Sequence, residues 1–273
     1  MDLPARYVVI GNPVAHSKSP DIHSWFAQQT GQNIVYERLL APRDGFEATV
    51  RQFIAEGGAG ANVTVPFKLE AHALATELSP RARAAGAVNT LTFSDGRIAG
   101  DNTDGAGLVT DIRVNAGVPI VGRRILLLGA GGAARGVLLP LLAEKPAALT
   151  IGNRTIEKAE QLAAAFQAGA GTCQLRAAGY AGLQGEFDIV INATSASLGN
   201  DLPPVDATRF AENAFAYDMM YGREPTVFMQ FAAQCGARVR DGLGMLIEQA
   251  AESFLVWRGV RPPTAALFES LRR

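Results

Sequence analysis

The sequence has little from which a metal centre, a disulfide framework or a membrane span could be built. Its 273 residues include two cysteines, Cys173 and Cys235, and three histidines, His16, His23 and His72. The cysteines form no C-x-x-C pair, and the histidines have no cysteine or carboxylate at zinc-ligand spacing, so no metal site is expected. So few cysteines fit a reducing compartment. No apolar run reaches about 18 residues and no charged-then-apolar leader is seen, which leaves a cytoplasmic, non-membrane protein as the expectation. An excess of one charge is missing too: the formal net charge is -1, which argues against a nucleic-acid binder. Repeats and low-complexity linkers are also lacking. What remains is 48% hydrophobic and 19% charged. That can bury one core and more naturally two, since single cores stop growing at roughly 250 to 300 residues.

The most informative stretch lies near the middle. The apolar run Arg124-Ile125-Leu126-Leu127-Leu128 opens directly into Gly129-Ala130-Gly131-Gly132-Ala133-Ala134-Arg135-Gly136. A strand, a glycine-rich turn and a helix in that order form a dinucleotide-binding signature. The first glycine allows the tight turn, the second lets backbone approach a pyrophosphate, and a small third residue, here Ala134, lets helix pack on strand. The helix N-terminus then offers free N–H groups and a positive dipole end. Alone, the motif also fits a purely structural turn. A second apolar strand at Ala148 to Gly152 supplies the context that favours a cofactor.

That second strand bears on which cofactor. An NAD site usually carries a carboxylate about 20 residues past the turn, to accept from the ribose 2′-OH. Here Asn153-Arg154-Thr155 stands instead, with Lys158 one helical turn on. Nothing there repels a 2′-phosphate, and Arg154 offers it a planar fork of donors. The reading is NADP.

About a hundred residues precede this unit. Tyr7 to Ile10 reads as a buried strand ended by Gly11-Asn12-Pro13, followed by a helix from Pro20 with Ser19 as its N-cap. A strand over Ile34–Leu39, a helix over Gly45–Glu56, a strand over Gly60–Val65 and a helix after Pro66 follow. This alternation predicts a parallel α/β sheet. Val88–Phe93 and Arg97-Ile98 flank Ser94-Asp95-Gly96, a hairpin turn. Beyond the glycine turn, strands are expected at Phe187–Asn192, Phe215–Asp218 and Ala237–Val239. From Gly244 to Trp257 the apolar spacing is helical, with Met245, Leu246, Ala250, Phe254 and Trp257 on one face.

Three polar constellations stand out. Ser17 and Ser19 lie two residues apart before a helix, where both hydroxyls could meet one carboxylate; Ser19 alone is equally a cap. In Asn62-Val63-Thr64-Val65-Pro66-Phe67-Lys68, strand alternation turns Asn62 and Thr64 to one side, with Lys68 just past the strand's C-terminal end, where open α/β sheets place ligands. Asn89-Thr90 and Gly100-Asp101-Asn102-Thr103-Asp104-Gly105 add amides, hydroxyls and carboxylates.

Taken together, these runs resemble the shikimate dehydrogenase family, from about Ile10 to Gly259. The ordered motifs are Gly-Asn-Pro with His-Ser-Lys-Ser-Pro-x-x-His, Asn-Val-Thr-Val-Pro-Phe-Lys, Gly-Ala-Val-Asn-Thr, Gly-Asp-Asn-Thr-Asp-Gly, Gly-Ala-Gly-Gly-Ala-Ala-Arg-Gly, Asn-Arg-Thr, Asn-Ala-Thr-Ser, and Gly-Leu-Gly-Met-Leu-x-x-Gln-Ala-Ala. The resemblance implies an α/β enzyme of two domains: a substrate-binding catalytic domain over 1–103, with 242–273 packing back on it, and a Rossmann-type NADP-binding domain over 104–241. It implies that Ser17, Ser19 and Thr64 bind the substrate carboxylate, that Asn62, Asn89, Asp104 and Gln249 bond the ring hydroxyls, and that Tyr221 touches substrate. Lys68 matches the catalytic lysine, with Asp104 its partner. Gly129, Ala130, Gly131, Gly132, Ala133 and Ala134 match the pyrophosphate turn, and Asn153, Arg154, Thr155 and Lys158 the 2′-phosphate clamp. Thr194, Met219, Gly242 and Met245 fall where the family lines the nicotinamide pocket. Ser24 departs from the asparagine many members carry, outside the catalytic set.

The implied reaction is reversible, NADP-dependent reduction of 3-dehydroshikimate to shikimate, in chorismate and aromatic amino-acid biosynthesis. Its chemistry needs a group that gives and takes a proton at the reacting oxygen, and Lys68 held by Asp104 suits that role. Two rivals are a quinate/shikimate dehydrogenase using NAD and a non-catalytic nucleotide- or metabolite-sensing regulator on the same fold. Asn153-Arg154 argues against the first, and the retention of Lys68 with Asp104 against the second. Partners are expected to be the small-molecule substrate alone, in a monomer or homodimer.

Overall fold

The computed structural model describes residues 3–194 and 201–272, which divide into two compact units. The first comprises Met1–Gly107 and Ile247–Arg273, the second Leu108–Leu246.

The first unit is built on a six-stranded sheet. Its elements are β1 (Ala5–Gly11), α1 (Ser19–Thr30), β2 (Ile34–Leu40), α2 (Phe46–Ala55), β3 (Gly58–Val63), α3 (Lys68–Leu74), β4 (Glu77–Leu78), α4 (Pro80–Ala85), β5 (Thr90–Ser94) and β6 (Arg97–Asp101). Spatial order is β2-β1-β3-β5-β6-β4. β1 lies parallel to β2 and β3, whereas β5 runs antiparallel to both β3 and β6. The alternating part, β1 to β3, is parallel as expected and β5 with β6 forms the expected hairpin, while the antiparallel pairing of β5 on β3 makes the sheet mixed. In the hairpin, Asp95 and Gly96 both hold positive φ, 49° and 75°, the geometry of a two-residue turn that folds β6 back along β5. β4 and α4, two short elements, carry too few residues for periodicity to reveal.

Period-two alternation puts both faces of β1 to use. Val8 and Ile10 join Phe46, Val50, Phe53 and Phe67 in one cluster, and Tyr7 and Val9 join Val14 and Tyr36 in another. Burial on both faces is what a near-continuous apolar strand implies. α1 begins one residue earlier than expected: Lys18 occupies the N-cap position without a side-chain cap, and Ser19 is a buried first helical residue.

The second unit continues with α5 (Asp104–Thr110, begun in the first unit), a π-helical turn over Asp111–Asn115, β7 (Arg124–Leu128), α6 (Gly132–Ala143), β8 (Ala148–Asn153), α7 (Ile156–Phe166), β9 (Gln174–Gly179), β10 (Phe187–Asn192), β11 (Phe210–Asp218), α8 (Val227–Gln234) and β12 (Arg238–Arg240). Then come α9 (Leu243–Arg258), which belongs to the first unit from Ile247 on, and α10 (Ala265–Arg272), which lies wholly in the first unit. The strands, in the order β12-β11-β10-β7-β8-β9, are all parallel. This is the doubly wound dinucleotide-binding order, and its switch point falls between β7 and β10. Leu126, Leu128, Val190 and Ala216 supply its core. α9 is buried on more than its expected face, since Ile247 and Ala251 are fully covered as well as Ala250 and Phe254.

Candidate functional site

In the first unit, the ends of β3 and β6 bring the expected polar residues together. Lys68 opens α3 and Asp104 opens α5; Lys68 Nζ lies 2.6 Å from Asp104 Oδ2. Their side chains are 34% and 19% exposed, so the pair is reachable from outside. Asn89 Nδ2 donates to Asp104 Oδ1 at 2.9 Å, to Thr103 Oγ1 at 2.8 Å and to Gln249 Oε1 at 3.2 Å. Thr103 N–H returns a bond to Asn89 Oδ1 at 2.9 Å, which fixes the orientation of that amide. Asp104, Asn89, Gln249 and Lys68 thus form one connected group.

The loop carrying Asp104 is itself clamped. Asp101 takes a two-pronged bond from Arg81, both at 2.7 Å, a bond from Ser79 Oγ, and one from Asn102 N–H at 2.7 Å. Burial opposes ionisation here, but Arg81 and Ser79 outweigh it and hold the Asp101 carboxyl below its ordinary value. Asn102 Oδ1 then accepts Asp104 N–H at 3.2 Å.

Asn62 and Thr64 part company. β3 ends at Val63, so Thr64 lies beyond the strand and the alternation argument does not reach it. Thr64 N–H bonds Ile10 O at 2.9 Å, and its methyl packs so closely on Gly11 that a Cβ there would collide with it. Asn62 is only 6% exposed. Its Oδ1 accepts the Tyr36 hydroxyl at 2.7 Å, and Nδ2 faces Ser253 Oγ at 3.0 Å, with Asn89 O and Thr90 Oγ1 at 3.2 Å. These bonds tie the Asn62 amide to β2, β5 and α9 and hold it in place beside Asn89. Tyr36 and Ser253 had no sequence signal of function. Burial raises the Tyr36 phenol well above its ordinary value, the Ser19 hydroxyl acting against this, so Tyr36 remains a donor. Ser17 Oγ accepts Ser19 N–H at 3.3 Å, and Ser17 O is held by Arg38.

In the second unit, the C-terminal sheet edge carries a cleft of about 820 Å³, lined by Ala130, Gly131, Asn153, Arg154, Thr155, Lys158, Tyr180, Thr194 and Asp201 to Pro204. Gly129 turns with φ 107°, and a Cβ there would press on Ala193 backbone and Thr194 at 3.2–3.3 Å. A Cβ on Gly131 or Gly132 would meet nothing within 4 Å, so backbone is open to the cleft there. α6 has no side-chain cap, which leaves its first N–H groups for a ligand, and Ala134 is fully buried under the helix. Arg154 and Lys158 have no ion-pair partner among the described residues, and Asn153 Nδ2 bonds Thr155 O at 2.9 Å. Orphan N–H groups beside two uncompensated cations fit a dinucleotide with a 2′-phosphate. Tyr180, which follows β9, is an unforeseen wall of this cleft; burial pushes its phenol up and Arg154 pulls it down.

Nearby, Thr194 N–H and Oγ1 bond Asn192 Oδ1 at 3.1 and 2.7 Å, and Met219 N–H bonds Asn192 O at 3.0 Å. Met219 and Met245 are buried, and Tyr221 is 42% exposed. Ser195, which ends the Asn-Ala-Thr-Ser run, lies outside the described residues. No cluster of metal-ligating side chains occurs among the described residues, and none of their helices is long and apolar enough to cross a membrane.

Comparison with known proteins bears on all of this. Residues 9–91 match the model of the shikimate dehydrogenase substrate binding domain, 115–199 that of shikimate / quinate 5-dehydrogenase, and 242–271 that of the shikimate 5'-dehydrogenase C-terminal domain. A protein of Janthinobacterium sp. (strain Marseille) named shikimate dehydrogenase (NADP(+)) is 64% identical, over 98% of this chain and 97% of its own. Among solved structures, an Ael1 enzyme from Pseudomonas putida superposes with TM-score 0.94 at 50% identity, over 98% of both chains. A shikimate 5-dehydrogenase from Thermus thermophilus, solved with NADP(H) and shikimate, gives TM-score 0.85 at 32% identity, over 98% of this chain and 99% of its own.

Proposed function

The chain belongs to the shikimate dehydrogenase family, and from that footing we propose that it catalyses the reversible NADP-dependent reduction of 3-dehydroshikimate to shikimate. The observation that carries the reading is the 2.6 Å pair of Lys68 and Asp104, joined to Asn89 and Gln249 in one group. The first unit serves as the substrate domain and the second as the NADP domain.

Lys68 gives a proton from Nζ to the developing ring alkoxide in reduction and takes it back in oxidation. Asp104 holds the ammonium in place, and its other oxygen, with Asn89 and Gln249, orients the ring hydroxyls. Ser17, Ser19 and Thr64 bind the carboxylate, and Tyr221 touches the substrate. Asn62 belongs to the same hydroxyl-binding set and, through Nδ2, also holds Asn89 O and Thr90 Oγ1. In the second unit, Gly129 to Ala134 hold the pyrophosphate, Asn153, Arg154, Thr155 and Lys158 the 2′-phosphate, and Thr194, Met219, Gly242 and Met245 the nicotinamide. NADP(H), when bound, supplies the hydride acceptor or donor. The protein acts in the cytoplasm as a monomer or homodimer.

The deciding experiment follows absorbance at the reduced nicotinamide band with shikimate and NADP, beside quinate and NAD. Turnover with shikimate and NADP well above the other combinations is the expected result. Absence of shikimate oxidation sinks the proposal.

A further inference from the structure

A buried polar cluster that the reaction does not use surrounds the start of α9, wholly inside the second unit. Asp111 is fully buried in the π-helical turn. Arg240 forks onto it, Nε 2.7 Å from Oδ2 and Nη2 2.6 Å from Oδ1, and Asn115 Nδ2 donates at 2.9 Å. The Tyr217 hydroxyl, at the end of β11, donates to Asp111 Oδ2 at 2.8 Å and accepts Met245 N–H at 3.2 Å.

The last of these bonds has a specific place in the helix. At the start of α9, Leu246 N–H already bonds Gly242 O, at 3.0 Å. Met245 N–H therefore belongs to the first turn, whose donors have no partner within the helix. Tyr217 satisfies it from a different element. Asp111 presses on the same turn: a Cβ on Gly244 would overlap its carboxylate, so only glycine permits the approach, and a carboxylate there suits the helix dipole. Gly242 is equally confined, since its Cβ would overlap Met219 O.

The geometry points to Tyr217 as a positioning residue for the nicotinamide end of the cofactor, acting through Met245 N–H on the Gly242–Met245 backbone. This rests on the reading above, in which Gly242 and Met245 line the nicotinamide pocket. Burial, reinforced by Asp111, raises the phenol well above its ordinary value, so the hydroxyl keeps the proton it donates. Tyr217→Phe removes that hydroxyl and almost no volume, and Asp111 retains its Arg240 fork.

Calorimetric titration of wild type and Tyr217→Phe with NADP and with 2′,5′-ADP, which has the 2′-phosphate but no nicotinamide, tests it. NADP binding should weaken by roughly two- to tenfold, the range of one lost hydrogen bond, with 2′,5′-ADP unchanged. Unchanged NADP affinity, or equal weakening of both ligands, overturns the inference. Hydrogen exchange in the wild type gives a test without any variant: the Met245 amide should exchange slowly, and fast exchange there overturns the inference as well. A wild type that binds neither ligand overturns the cofactor reading, and this inference with it; binding of both with no effect of Tyr217→Phe overturns this inference alone.

Discussion

Lys68 and Asp104 each open a helix, and their side chains meet at 2.6 Å. An ammonium in a first helical turn is disfavoured by the dipole, whereas a carboxylate is favoured there. Asp104 thus compensates Lys68 for its position while holding it beside Asn89 and Gln249. Lys68→Ala should reduce turnover by roughly 10² to 10⁴, the usual effect of losing a positioned acid-base group, with the shikimate KM little changed because Asn89, Gln249 and the serines remain. Steady-state kinetics of the variant decide; near wild-type turnover refutes the catalytic assignment.

Removing the carboxylate contacts should have the opposite signature. Ser17→Ala with Ser19→Ala is expected to raise the shikimate KM more than it lowers kcat, since a remote anchor binds ground and transition states alike. Because Ser17 Oγ also accepts Ser19 N–H, a thermal melt should accompany the kinetics. An unchanged KM in the folded double variant returns both serines to a local role.

Cofactor choice is tested by Arg154→Asp. A charge-assisted bond to the 2′-phosphate is worth about 1.5 to 3 kcal/mol, so NADP should weaken by roughly ten- to a hundredfold before repulsion is added. NAD use should stay level or improve, as the new carboxylate meets a free 2′-OH. The ratio of kcat/KM with NADP to that with NAD is the measurement, and equal loss with both cofactors contradicts the assignment.

His23 sets a pH dependence of stability. It is fully buried and stacks on Tyr36 with ring centroids 4.2 Å apart. Burial lowers its pKa from 6.5 to about 3, which the neighbouring Asn62 side chain only partly offsets. The unfolded chain therefore binds a proton below about pH 6.5 that the folded protein refuses. This contribution to stability is complete above that pH and is lost progressively as pH falls towards 3, by about 2 kcal/mol between pH 7 and pH 5. Urea midpoints should fall over that interval, and His23→Leu should flatten the His23 part of the slope. An identical slope in that variant would falsify the claim.

Much of this was legible in the sequence because two units of it obey simple periodicities. The run Arg124–Leu128 into Gly129-Ala130-Gly131 could be read as strand, turn and helix, since each step uses a local rule of burial or backbone freedom, and β7, Gly129 and α6 occupy those places. β9, by contrast, alternates weakly, and α10 carries too short an apolar pattern to be distinguished from loop. The turn at Asp95-Gly96 was legible and gave the β5–β6 hairpin, but the antiparallel pairing of β5 on β3 is a tertiary contact that the strand's own pattern does not carry. Within the site, the roles of Tyr36, Ser253 and Arg81 come from partners 26 to 191 residues away in sequence, or in the case of Arg81 from a fork on Asp101 across β6. Local spacing carries no trace of such pairings. Asn62 shows the same limit: the strand placed it, but only tertiary packing gave its amide these partners.

The first unit takes Gln249 and Ser253 from α9, which meet Asn89 and Asn62 across 160 and 191 residues of chain. A ribosome delivers that helix only after the entire second unit has been made. Until then Asn62 and Asn89 lack these partners in a buried, polar interior, and an amide left short of partners there is destabilising. The substrate pocket is thus the first part of the molecule to be synthesised and the last to be completed. The second unit needs no residue beyond Leu246, so a released chain truncated before Gln249 should carry an assembled second unit together with an unfinished first one.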